Sequence, residues 1–199
     1  MGSRLKLIII CKKILRILLM FLFRFEWWHT SPSDNRPYAC DIVSELRKRK
    51  ADGSVLELGC GLGDILGKIK CREKYFFDVS DNVLRAAKFL QYFSFKKTLN
   101  HYKEFNFIED TLDKKMSVDV VILVNWIHAY KTSILREKFS DLTKFNLNPG
   151  GIVVFDLIEN NSNYKYNHRI QELLDTELFD IETFSGYKFG RKIVYATLK

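Results

Sequence analysis

Two hydrophobic patterns alternate along the chain: short unbroken apolar runs, and longer stretches in which apolar residues return every three or four positions. Unbroken runs bounded by turn formers predict strands covered on both faces, and the spaced stretches predict amphipathic helices. After the turn formers of residues 31–35, Pro37 opens a helix through Ile42, Val43 and Leu46, with Ser33, Asp34 or Asn35 as its cap. A first strand over 54–58 runs into three alternating glycines and a short helix over 64–69. A second strand over 74–79 and a helix over 80–93 follow, then a third strand over 104–110 ("EFNFIED") and a fourth over 118–126 ("VDVVILVNW"). A helix over 133–146, a turn at 147–151 and a fifth strand over 151–159 complete the repeat. A helix over 167–178 then leads to strands over 179–187 and 191–199, which read as an antiparallel hairpin around Gly190. The β–α period predicts one α/β domain, a doubly wound, mostly parallel seven-stranded sheet with an antiparallel last strand.

The first 25 residues follow a different rule. In "RLKLIIICKKILRILLMFLFRFEWW", Lys6, Lys12, Lys13, Arg16 and Arg24 fall within a wheel arc of about 120° at about 100° per residue, Leu, Ile, Phe and Met fill the rest, and only Arg4, at the end of the segment, lies outside the basic arc. A bilayer-spanning helix is disfavoured, because Lys12, Lys13 and Arg16 would sit near mid-bilayer at roughly 2.5–3.5 kcal/mol each. A secretory signal is disfavoured as well, since "FRFEWWHT" has no small-residue cleavage site. The pattern suits a helix lying in the headgroup region of an anionic membrane, through residues 4–24. Packing on the protein body or on a twin subunit is the competing reading. The expected organisation is a basic amphipathic helix and membrane-interface anchor over 1–25, an aromatic flap or linker over 26–36, and the main domain over 37–199.

Charge separates the same two parts. Residues 1–50 carry 11 Lys/Arg against 4 Asp/Glu, and residues 51–199 carry 21 against 20. A nearly neutral body disfavours nucleic acid as partner, for which a basic face is expected. The four cysteines form no C-x-x-C pair and the four histidines are scattered, so no metal site is expected, and the compartment reads as reducing. The expected location is the cytoplasm, peripherally on a membrane.

The candidate chemistry starts at "VLELGCGLGD", residues 55–64, a strand feeding a glycine turn where a nucleotide-like ligand can lie against bare backbone. Gly59 and Gly61 fit the first two positions of the dinucleotide fingerprint G-x-G-x-x-G, but Asp64 occupies the third, against an NAD reading. Asp78, at the end of strand two, stands where an acid accepts hydrogen bonds from ribose hydroxyls. With "FFDVSDNVLRAAK", "FIEDTLD", "VDVVILVNWIH" and "LNPGGIVVF" in that order and spacing, residues 36–199 resemble the class I, Rossmann-like S-adenosylmethionine-dependent methyltransferases. The resemblance implies S-adenosylmethionine as cofactor, held by Glu57, Gly59, Cys60, Gly61, Gly63, Asp78, Val79, Asp110, Thr111 and Asn125, with Arg36 or Tyr38 as the candidate to meet its carboxylate. It also places the last strand beside strand five.

Methyl transfer is a direct displacement, and a base is needed only where the acceptor must lose a proton. His128, three residues past Asn125, is the candidate base, and His29, on the flap, is the reserve. Trp27, Trp28, Trp126 and Tyr130 are the candidate acceptor contacts. The expected reaction is O-methylation of a small-molecule or lipid-linked acceptor, a glycan or isoprenoid, at a membrane face. The alternative is a catalytically inactive, cofactor-binding scaffold at a membrane.

Overall fold

The computed structural model describes residues 3–92, 98–158, 161–162 and 164–199. Seven strands, β1 (Ser54–Leu58), β2 (Glu73–Asp78), β3 (Leu99–Glu104), β4 (Val118–Leu123), β5 (Leu147–Ile158), β6 (Phe179–Phe184) and β7 (Arg191–Leu198), form one sheet. Their order is β3-β2-β1-β4-β5-β7-β6. The first five strands are parallel, and β7 lies antiparallel between β5 and β6. The helices are α1 (Ser3–Phe23), α2 (Pro37–Lys48), α3 (Asp81–Tyr92), α4 (Thr132–Phe145) and α5 (Ile170–Leu173).

Strand β1 is buried along its whole length, which explains its unbroken apolar run. Successive side chains point to opposite faces. Leu56 and Leu58 join Leu135, Phe139 and Leu142 of α4, whereas Val55 joins Ile42, Val43 and Leu46 of α2. The chain leaves β1 towards β2 and β3, then returns on the other side through β4. The sheet therefore has its switch point between β1 and β4, and a crevice opens there at the carboxyl ends.

Four sequence expectations need correction. The third strand is Leu99–Glu104, and residues 105–110 are a loop. Phe105 and Phe107 are apolar because they are buried in the core from that loop, and its turn is closed by Asp110, whose Oδ2 accepts from the Asn106 N–H at 2.7 Å. The true strand, "LNHYKE", is polar because it lies at the sheet edge. No α-helix follows the glycine turn, only a 3-10 turn at Leu66–Lys68, where the Leu66 N–H donates to the Glu57 carboxylate at 3.0 Å. The segment expected as a helix over 167–178 is reduced to α5 and a 3-10 turn at Thr176–Leu178. The 147–151 turn lies within β5, where the register with β4 shifts between Val118 and Val120. Phe93 and Glu159, the expected last residues of a helix and a strand, lie outside the described residues.

Helix α1 is docked on the body. Lys12 pairs with Asp34 at 2.9 Å and Arg16 with Asp64 at 2.5 Å. Leu19 and Phe25 are buried against Leu62, Val83 and Ala86. Asn82 Nδ2 donates to the Arg24 carbonyl just past the helix end, at 3.3 Å. Among the described residues, no helix is long and apolar enough to cross a membrane.

Candidate active site

A cavity of about 640 Å³ occupies the crevice beyond β1, β2 and β4, within the size range of small-molecule sites. Gly59 (φ +71°) and Gly61 (φ +53°) bring backbone to its floor. A Cβ on Gly59 would come within 2.5 Å of the Trp126 ring, so both its φ and its neighbour demand glycine. The Trp126 indole N–H in turn donates to the Leu58 carbonyl at 2.7 Å and holds the ring over the turn. Cys60 is buried beside them, which pushes its thiol well above the usual range.

Three acids organise this end. Asp78 accepts from the Gly61 N–H at 2.8 Å and from the Ser80 N–H at 3.1 Å, tying the glycine turn to the start of α3. Asp64 is held by Arg16 and by Arg36 Nη2. Burial alone would raise the Asp64 carboxyl, but the Arg16 hydrogen bond and charge, with Arg36 behind them, hold it below the usual carboxylate range. Asp64 thus links the N-terminal helix, the segment before α2 and the glycine turn. Glu57 is buried, and burial pushes its carboxyl up to about 8 against the opposing Leu66 N–H bond.

That shift has a consequence for stability. The folded protein keeps Glu57 protonated between about 4.5 and about 8, where the unfolded chain releases the proton. Its stabilising contribution is full below the unfolded carboxyl pKa and is lost as pH rises through the folded value. Chemical denaturation of the wild type is expected to show lower stability at pH about 8.5 than at about 5.5, and Glu57→Gln should flatten the decline. An equal decline in the variant would remove Glu57 as its source.

A second cluster closes the crevice at the β4 and β5 ends. Asn125 adopts φ +79°, a strained value for a side-chain-bearing residue, and its N–H donates to Asp156 Oδ1 at 2.8 Å. Arg191 Nη1 donates to Asp156 Oδ2, and its Nη2 reaches Asn125 Oδ1 at 3.1 Å and the Tyr164 hydroxyl at 3.2 Å. The same guanidinium lies 4.6 Å over the Tyr38 ring, and burial raises the Tyr38 hydroxyl. His128 Nε2 is 3.3 Å from Asp156 Oδ2. The two groups are close but not aligned for a hydrogen bond, and both His128 ring nitrogens are buried with no hydrogen-bond partner. Arg36 Nε is buried in the same condition at the cavity wall.

The cavity brings together most of the residues singled out in the sequence. Glu57, Gly59, Cys60, Gly61, Asp78 and Val79 line it together with Arg36, Tyr38, Asn125, Trp126, His128 and Tyr130. Trp28 and His29 cover the mouth, with the His29 imidazole depressed by burial, opposed by the Asp78 and Glu26 carboxylates. Four residues stand elsewhere. Asp110 and Thr111 line a separate small hollow beside α4, because the loop carries Phe105, Asn106, Phe107 and Ile108 to the cavity instead. Gly63 is outside the lining, and a Cβ there would meet Phe76 at 2.9 Å. Trp27 is also outside it, 73 % exposed. Sequence reasoning missed Arg16, Asp156, Tyr164 and Arg191, and Asp64 entered it only as a fingerprint mismatch. A lone acid inside the apolar run "GIVVFDLI" was an available signal for Asp156, whereas nothing local marks Arg191.

Comparison with known proteins agrees with this architecture. A family model described as a methyltransferase domain matches residues 32–185. The N-methyltransferase NodS from Bradyrhizobium japonicum WM9, solved with S-adenosylhomocysteine, superposes with a TM-score of 0.71 at 14% identity, covering 92% of this chain and 97% of its own. The magnesium protoporphyrin IX methyltransferase ChlM from Synechocystis PCC 6803, solved with the same product, gives 0.67 at 15% identity over 83% and 84%. The methyltransferase domain of bacterial CtHen1 gives 0.64 at 17% identity over 82% and 99%. No curated protein sequence matches the chain. With most of its length under the family model and a sheet order and terminal antiparallel strand to match, the chain belongs to the class I S-adenosylmethionine-dependent methyltransferases.

Proposed function

We propose that the protein transfers a methyl group from S-adenosylmethionine to an oxygen of a small-molecule or lipid-linked acceptor, a glycan or isoprenoid, at the cytoplasmic face of a membrane. The observation that carries this reading is the cavity itself, where the glycine turn and a buried, unpartnered histidine line the same space. The residues present fit the cofactor. Gly59 and Gly61 offer bare backbone, Asp78 and Glu57 offer carboxyl groups, and the orphaned Arg36 Nε offers a donor to a carboxylate. When bound, S-adenosylmethionine supplies an electrophilic methyl carbon that an acceptor oxygen takes by direct displacement.

The chain's own contribution is placement and proton removal. Asp156 stands beside the His128 ring, where its carboxylate would stabilise the imidazolium formed when a ring nitrogen takes the acceptor's hydroxyl proton. Arg191 and Asn125 hold Asp156 in position. Trp28, Trp126 and Tyr130 offer aromatic surface to the acceptor, and Trp27 stands next to Trp28 at 6.2 Å between ring centroids.

Calorimetry is expected to show binding of S-adenosylmethionine and S-adenosylhomocysteine in the micromolar range, about −8 kcal/mol, and no binding of NAD. Asp78→Ala should weaken both ligands at least several-fold, because it also frees the Gly61 N–H. Binding of NAD without S-adenosylmethionine would sink the assignment. Binding without turnover on any hydroxyl acceptor would favour the inactive scaffold.

A further inference from the structure

The outward face of α1 is a surface that the cofactor site does not use. Leu7, Ile10, Ile14, Leu18, Phe21 and Leu22 are 53–72 % exposed. At about 100° per residue they form one continuous arc, turned away from the side that meets the body through Lys12, Arg16 and Leu19. The orientation is the reverse of a water-facing helix, which buries its apolar stripe and exposes its charges. The ion pairs to Asp34 and Asp64 hold it that way round. Lys6 and Lys13 lie along one edge of the arc, and Arg24 follows the helix end, all exposed.

We propose that this face docks on an anionic lipid bilayer. The apolar arc of α1 sits among the acyl chains, and Lys6, Lys13 and Arg24 meet the headgroup phosphates. Exposed Trp27 and Trp28, in a 3-10 turn packed against α1, suit the same interfacial depth. Trp28 also lines the cavity, so this pose sets the cavity mouth at the lipid. Charge argues for lipid over a second copy of the chain. Residues 1–25 contain no Asp or Glu, so two such faces would bring cations together with no acid between them, whereas anionic headgroups supply the opposite charge. The inference deepens the methyl-transfer reading by naming the surface from which a lipid-linked acceptor reaches the site, and its docking step stands independently of that reading.

The test is co-sedimentation of the full chain with vesicles of phosphatidylcholine alone and of phosphatidylcholine mixed with phosphatidylglycerol. The wild type is expected to bind the mixed vesicles preferentially. Leu18→Ser/Phe21→Ser should lower that partitioning about tenfold or more, and Lys6→Gln/Lys13→Gln should lower it about fivefold per charge removed. Both pairs lie on exposed positions apart from the Lys12, Arg16 and Leu19 contacts that dock the helix, so S-adenosylmethionine affinity should stay within about twofold. A wild type that binds vesicles but no S-adenosylmethionine would leave the docking intact and remove the methyl-transfer reading. Unchanged partitioning of Leu18→Ser/Phe21→Ser overturns the docking. So does a wild type that ignores vesicles and sediments as a dimer which Phe21→Ser dissociates, an outcome that gives the face to a second copy.

Discussion

His128→Ala is expected to lower turnover on a hydroxyl acceptor by about 10²–10⁴-fold, the range for loss of a positioned proton acceptor. S-Adenosylmethionine affinity should hardly change, because His128 touches the Asp156 cluster and not the glycine turn. The prediction rests on an unusual condition. A buried ring with two nitrogens and no hydrogen-bond partner is costly, of order 1–3 kcal/mol for each polar group left unsatisfied. Such a cost persists where a ligand completes the bonding. His29→Ala is the necessary comparison, since His29 reaches the same cavity from the segment that covers it. Full activity in His128→Ala with loss in His29→Ala would transfer the role to the mouth of the cavity. Full activity in both would mean that alignment alone carries the reaction.

The second large effect concerns stability. Asp156→Asn should destabilise the fold by about 3–5 kcal/mol, because it leaves the Arg191 guanidinium buried without its counter-charge. For a chain of this size the melting temperature should fall by roughly 6–20 °C. Scanning calorimetry measures it directly. Asp156→Leu/Arg191→Met should recover much of the loss, since removing both charges together removes the penalty. If Asp156→Asn melted like the wild type, the pair would be contributing little, and the strained Asn125 backbone would need another support. The same substitution takes away the group that faces His128 Nε2, so its activity loss should exceed what its melting temperature alone explains.

Much of the fold was legible because burial writes itself into local pattern. The runs at β1, β4 and β5 are continuous since helices cover both faces there, and Pro37 marks the start of α2 by its fixed φ. The third strand was misplaced for the same reason in reverse. At the sheet edge strand pairing needs no apolar run, and Phe105 and Phe107 answer to the core from a loop. The displaced strand leaves Asp110 and Thr111 outside the cavity, whose lining takes Asn106 and its neighbours from the loop.

By itself the sequence determined the α/β order, the glycine turn with Glu57 before it and Asp78 after it, and the amphipathic character of the first 25 residues. All of these rest on spacing along one segment. Only the tertiary structure decided which way α1 faces, and it did so through Asp34 and Asp64, acids that lie far along the chain from Lys12 and Arg16. It likewise assembled Asn125, His128, Asp156 and Arg191 from three separate strand ends. Charge pairing and burial act through space over a few ångströms, and no local periodicity records which distant residue will stand there.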